Sequence, residues 1–184
     1  MRSTLPVILS GCCALLSATA QAESSLSLTT TLASDYVADG VSATDSGPAL
    51  QVGLDYEHSS GFYAGVWGSN IDSDDHDTPN LELDYTLGFK HALTEDLEGD
   101  IGITHYTWYH IDSGSDHDEW DYQEWFAGFT WQENTSLYYY YAEDSKVWDG
   151  VQRRIILEHA QPLPVYELSS LLTTARVDLE TNVT

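Results

Sequence analysis

The stretch Leu81-Glu82-Leu83-Asp84-Tyr85-Thr86-Leu87-Gly88-Phe89-Lys90 decides the fold. Leu81, Leu83, Tyr85, Leu87 and Phe89 occupy one phase of a period of two. Glu82, Asp84, Thr86, Gly88 and Lys90 occupy the other. Successive side chains of a β-strand point to opposite faces, so this run has one greasy and one hydrophilic face. A helix would mix the two sets. The same alternation recurs upstream, where Leu50, Val52, Leu54 and Tyr56 oppose Gln51, Gly53, Asp55 and Glu57. Leu26, Leu28, Leu32 and Tyr36 share one face of the first segment, and a third segment runs from Phe62 to Asn70.

Downstream the pattern is noisier. In Asp100–His110, Ile101 and Ile103 keep phase but Tyr106 and Trp108 fall on the other face, which predicts a bulge. Trp120–Thr130 is aromatic on both faces, Ser136–Ala142 holds four consecutive tyrosines, and Val151–His159 alternates weakly. A ninth segment, Val165–Val177, has no obvious partner. The expectation is an all-β chain, an antiparallel up-and-down transmembrane β-barrel of eight to ten strands.

Composition narrows the partners. The 184 residues carry 6 Lys and Arg against 30 Asp and Glu, a formal net charge of −24. This balance argues against nucleic acid as a partner and disfavours anionic lipid surfaces, because both are bound through clustered Lys and Arg. Six tryptophans, twelve tyrosines and four phenylalanines argue for a folded chain. Acidity of this degree, with Lys90 and Lys146 the two lysines, also suits life in high salt, where repulsion is screened.

The amino terminus reads as an export signal: Arg2, an apolar run over Leu5–Leu16, and Ala20-Gln21-Ala22 as a cleavage site. Cleavage after Ala22 gives a signal peptide over 1–22 and a β-barrel domain over 23–184. Both cysteines, Cys12 and Cys13, leave with the signal. Leu9-Ser10-Gly11-Cys12 offers a competing lipoprotein box, but the run from Cys13 to Ala22 makes the better signal core. Past Ala22 no apolar run reaches the length of a spanning helix, whereas a spanning strand needs only about 9–11 residues.

The connections alternate in character. Asp39–Pro48, Ile71–Asn80, Ile111–Glu119 and Glu143–Gly150 hold thirteen Asp and Glu between them; His58–Gly61, Ala92–Gly99, Trp131–Thr135 and Ala160–Pro164 hold four. Outer-membrane barrels have long extracellular loops and short periplasmic turns, which makes the acidic end extracellular. Tyr36, Tyr56, Phe89, Tyr109, Trp120 and Tyr138 lie near expected strand ends, as interfacial girdles require. A soluble β-sandwich is the competing architecture, since its strands also alternate.

Ser34-Asp35-Tyr36-Val37-Ala38-Asp39-Gly40-Val41-Ser42, Pro48-Ala49-Leu50-Gln51, Gly53-Leu54-Asp55-Tyr56 and Glu82-Leu83-Asp84-Tyr85 carry a family likeness. With Gly61-Phe62-Tyr63-Ala64-Gly65-Val66-Trp67-Gly68-Ser69-Asn70, they resemble the TorF-type porins of Gram-negative outer membranes. The likeness is good over Leu26–Tyr85 and loose beyond. It implies an exported outer-membrane β-barrel acting as a porin, and brings no catalytic residues. Asp39 stands where similar sequences usually carry Arg. The chain also ends at Thr184 without the terminal aromatic typical of such barrels, so a truncated version of a longer barrel, or a smaller barrel, is expected.

Two sets of residues are candidates for chemistry. The polar phase places Asp55, Glu57, Glu82 and Asp84 along a lumen, where carboxylates concentrate cations and repel anions. The near-repeat formed by Asp72, Asp74, Asp75, His76 and Asp77, echoed by Asp112, Asp116, His117 and Asp118, could hold a loop-bound divalent cation, Ca²⁺ or Zn²⁺. Neither loop has the calcium-loop spacing of Gly and Glu, and solvated acidic loops are the simpler reading. No serine elbow, zinc helix or phosphate loop is present, so no catalytic residue and no enzymatic activity is expected. The sequence thus points to passive passage of small solutes or ions through an outer-membrane barrel, weakly cation-selective if it conducts. The alternative is a non-conducting surface barrel that binds ligands, metal ions or partners through its acidic loops.

Overall fold

The computed structural model describes residues 24–38, 40–72, 79–110, 115–116, 120–145, 150–161 and 171–178. The expected signal peptide lies outside these residues. All regular structure among them is β. The strands are β1 (Ser24–Ala33), β2 (Val37–Ala38), β3 (Val41–Ser42), β4 (Ala49–His58), β5 (Phe62–Asn70) and β6 (Leu81–Ala92). They continue with β7 (Leu97–His110), β8 (Ser115–Asp116), β9 (Tyr122–Trp131), β10 (Thr135–Ser145), β11 (Gly150–Gln161) and β12 (Leu171–Asp178).

Nine of these form one antiparallel meander in the order β1-β4-β5-β6-β7-β9-β10-β11-β12. β8 pairs with the end of β7, and β2 and β3 make a separate small hairpin. Eight of the nine are 9 to 14 residues long, enough for each to cross a bilayer core at a tilt. The turns at one end are short and locally determined. Gly61, at φ 98°, donates its N–H to the His58 carbonyl. Gln132 and Glu133 both have positive φ, 50° and 60°, as a primed hairpin turn requires.

Three expectations are corrected. The β6–β7 register runs unbroken from Leu81↔Tyr109 to Ala92↔Glu98, so β7 has no bulge there. Tyr106 and Trp108 keep the phase of Asp100 and Thr104, and their face is aromatic as well as polar. The register shift occurs instead between Ala142 and Ser145 in β10. The ninth segment does have a partner: β12 pairs antiparallel with β11, from Arg154↔Asp178 to Gln161↔Leu171. Finally, the sheet is not closed among the described residues, for β1 and β12 do not pair. In a nine-stranded antiparallel meander both edge strands run the same way, so joining them takes a parallel ladder.

Burial is inverted relative to a water-soluble domain. One face carries Leu26, Leu28, Leu50, Leu54, Phe62, Leu87, Ile101, Trp125, Phe129 and Leu137, and all are exposed. Leu28 is 64 % exposed and Leu87 61 %. The buried residues include Ser69, Glu82, Asp100, Thr104 and Glu124, which lie on the opposite face with Ala49, Trp108 and Ala142. A single flat sheet would expose both faces alike. Burial of the polar one follows from side chains laid across it and from the first long connection folding over it.

Candidate functional site on the polar face of the sheet

Glycines let aromatic rings lie flat on this face. Tyr63 (β5) faces Gly88 (β6), Phe126 (β9) faces Gly102 (β7), and Tyr138 (β10) faces Gly128 (β9) across the ladders. A Cβ at any of the three glycines would overlap the facing ring. The ring instead covers the bare backbone, an arrangement that pins register. Laid down this way, the Tyr63 and Tyr138 hydroxyls approach Asp100 from either side. They donate to Oδ1 and Oδ2, each at 2.8 Å. The buried Asp100 carboxylate is thereby held by two donors that reach it from two strands away on either side of its own.

Nearer the acidic end, Arg154 (β11) reaches across β10 to form a two-pronged ion pair with Glu124 (β9). Its guanidinium lies 5.1 Å over the Tyr140 ring. Tyr106 donates to Glu124 Oε1 at 3.2 Å. Tyr106, Trp108 and Tyr122 form a stack, with Tyr106 and Tyr122 centroids 4.7 Å apart and Trp108 5.7 Å from Tyr122. Asp84 sits within electrostatic range of both Glu82 and Glu124, and its buried Oδ1 accepts no hydrogen bond among the described residues. Three carboxylates thus share a region with one guanidinium.

The first long connection completes this end. β1 stops at Ala33, and the Asp35 carboxylate captures the Ser42 hydroxyl at 2.6 Å and the Thr44 hydroxyl at 3.1 Å. The chain is therefore turned before Tyr36, which does not join the outward girdle expected of it. Its ring packs edge-on against Trp67 at 5.5 Å, and its hydroxyl faces the Glu82 carboxylate. Burial, reinforced by Glu82 and Asp84, holds the Tyr36 hydroxyl above the ordinary phenol range, so it remains a protonated donor. Tyr138 also departs from the expected girdle, because its phase is that of Asp100's partners. Tyr56, by contrast, lies on the exposed apolar face.

The four expected lumen residues share the polar face by register, but they are not equivalent. Glu82 is 7 % exposed and Asp84 lies beside it, within the cluster. Asp55 and Glu57 are exposed on β4, and Glu57 stands 4.0 Å from Lys90. Asp100, Glu124, Arg154 and the three flat rings were not anticipated. Their phase was present in the sequence, but aromatic side chains on both faces of β9 and β10 concealed it.

Of the proposed metal-loop residues, Asp72 is described. It is exposed and donates its backbone N–H to the Ala43 carbonyl at 2.8 Å. Asp116 is described as part of β8, where it pairs with Tyr109. Asp74, Asp75, His76, Asp77, Asp112, His117 and Asp118 lie outside the described residues. Among the described residues no three His, Cys, Asp or Glu side chains converge as a metal site.

An all-antiparallel meander with a buried, carboxylate-rich polar face and an exposed apolar one defines the class of architecture. Residues 17–180 match the family described as a bacterial protein of unknown function, Gcw_chp. The chain belongs to that family. No curated protein and no solved structure matches it.

Proposed function

We propose that this sheet forms the wall of an outer-membrane β-barrel that lets small cations pass passively through an acidic lumen. The observation that carries the reading is the inverted burial: Leu, Ile, Phe and Trp side chains are exposed along a whole face while Glu82, Asp100 and Glu124 are buried. Water makes such a face costly, at about 25 cal/mol per Å² of apolar surface, whereas hydrocarbon removes that cost. Strand lengths, short turns at one end and the likeness to TorF-type porins support the same reading.

The lumen's preference for cations rests on the carboxylates of the polar face, Asp55, Glu57, Glu82, Asp84 and Asp100, with Glu124 already paired to Arg154. Fixed negative charge in a confined aqueous path raises the local cation concentration. The second reading, a non-conducting barrel that works through its outer loops, is favoured by one observation. Tyr63, Asp100 and Tyr138 form a bridge over five strands of the inner face. Planar-bilayer recording under a salt gradient divides the two. The proposal expects discrete conductance with a reversal potential of cation-selective sign; inserted but electrically silent protein supports the second reading.

A further inference from the structure

The connection made of residues 34–38 and 40–48 is unusually well fixed for a segment between strands. Thr44 is its hub, at 2 % exposed. The Thr44 hydroxyl contacts Asp35 and the Gly47 carbonyl at 2.8 Å, and it accepts the Tyr36 N–H at 3.0 Å. Ala43 donates back to the Tyr36 carbonyl at 2.7 Å. The Ser42 hydroxyl accepts the Ser46 N–H at 2.8 Å, in a turn where Asp45 and Ser46 both have positive φ. Two further bonds tie the connection to the next hairpin: Asn70 accepts the Leu50 N–H at 2.7 Å and donates to the Pro48 carbonyl at 3.1 Å. So many internal and outward bonds leave this segment one conformation, and that conformation directs Tyr36 at Trp67, Glu82 and the neighbourhood of Asp84.

We propose that this connection is a fixed cover over the acidic end of the polar face, with Tyr36 the residue that sets what reaches Glu82 and Asp84. The inference rests on the barrel reading above and adds a size limit to it. Bulky organic cations are kept from these two carboxylates by the ring. Tyr36 acts by its bulk and its fixed position. Thr44 is the positioning residue that holds it there.

Access is read directly by thiol labelling. Asp84→Cys is placed in the full chain with Cys12 and Cys13 changed to Ser. The rate of modification by a bulky, positively charged methanethiosulfonate is then compared with and without Tyr36→Ala. The expected result is acceleration by about tenfold or more in Tyr36→Ala, and none in Tyr36→Phe, which keeps the ring. Thr44→Val, which frees the connection, should accelerate labelling as well. A folded Tyr36→Ala protein, judged by heat-modifiable gel migration, with an unchanged rate overturns the proposal. So does equal acceleration in Tyr36→Phe. The labelling reads in detergent as well as in vesicles. Tyr36-dependent access in a protein that never enters bilayers would therefore retain the cover and discard the barrel. Bilayer entry with Tyr36-independent access would do the reverse.

Discussion

Gly88, Gly102 and Gly128 matter for what they lack. Each provides the bare backbone on which a ring from the next strand lies, and two of those rings carry the hydroxyls that satisfy Asp100. Gly128→Ala should lift Tyr138 off the sheet and destabilise the folded form by about 1–3 kcal/mol, the usual cost of overpacking. Urea titration in detergent measures it, and Tyr138→Ala in the same background should recover part of the loss. Arg154 is a second case, because it holds Glu124 in a pair whose side chains are 16 % and 3 % exposed. Arg154→Met leaves a buried, uncompensated carboxylate and should cost about 3–5 kcal/mol, most of which Glu124→Gln should restore. Tyr36 gives a pH prediction. Its proton is held more tightly folded than unfolded, where a phenol titrates near 10. The unfolded state therefore binds fewer protons above about pH 10, and stability falls as pH rises through that range. The alkaline slope of the unfolding midpoint should be shallower in Tyr36→Phe.

Among the elements, β4, β5 and β6 were legible in the sequence because their two faces differ in kind. Leucines and valines alternate there with Asp, Glu and Gly, and the observed register keeps that division. β7, β9 and β10 were harder. Their inner face carries Tyr106, Trp108, Tyr122, Phe126, Tyr138 and Tyr140, so a hydrophobicity pattern cannot tell it from the outer one. The inward turn of Tyr36 was invisible to periodicity, since Asp35 and Thr44 end the strand through side-chain bonds of long sequence separation. The outer face of β6 supplies the prediction for this scale. Leu87 is 61 % exposed near the middle of its strand. In water, Leu87→Arg at such a site changes stability by no more than about 0.5 kcal/mol. In a bilayer midplane it costs about 2–4 kcal/mol, against about 0–1 kcal/mol near the interface, where Leu32→Arg would lie. Stability measured in lipid vesicles should show that ordering.

For the whole molecule, the decisive property is which face meets which solvent. Nine strands in one meander, with the two-residue strands of the β2–β3 hairpin as the other sheet and no helix among the described residues, leave no described protein layer to cover the leucine-rich face. The edge strands β1 and β12 of that meander run in the same direction, so a ladder between these two would be parallel. Trp125 and Trp131 stand on the exposed apolar face, at 58 % and 52 %, while Trp108 is buried on the polar face. Tryptophan fluorescence in vesicles whose acyl chains carry bromine reads this partition directly. Strong quenching that falls in Trp125→Phe, and persists in Trp108→Phe, is the result the barrel requires. A monodisperse protein in plain buffer whose emission is indifferent to brominated lipid would contradict it.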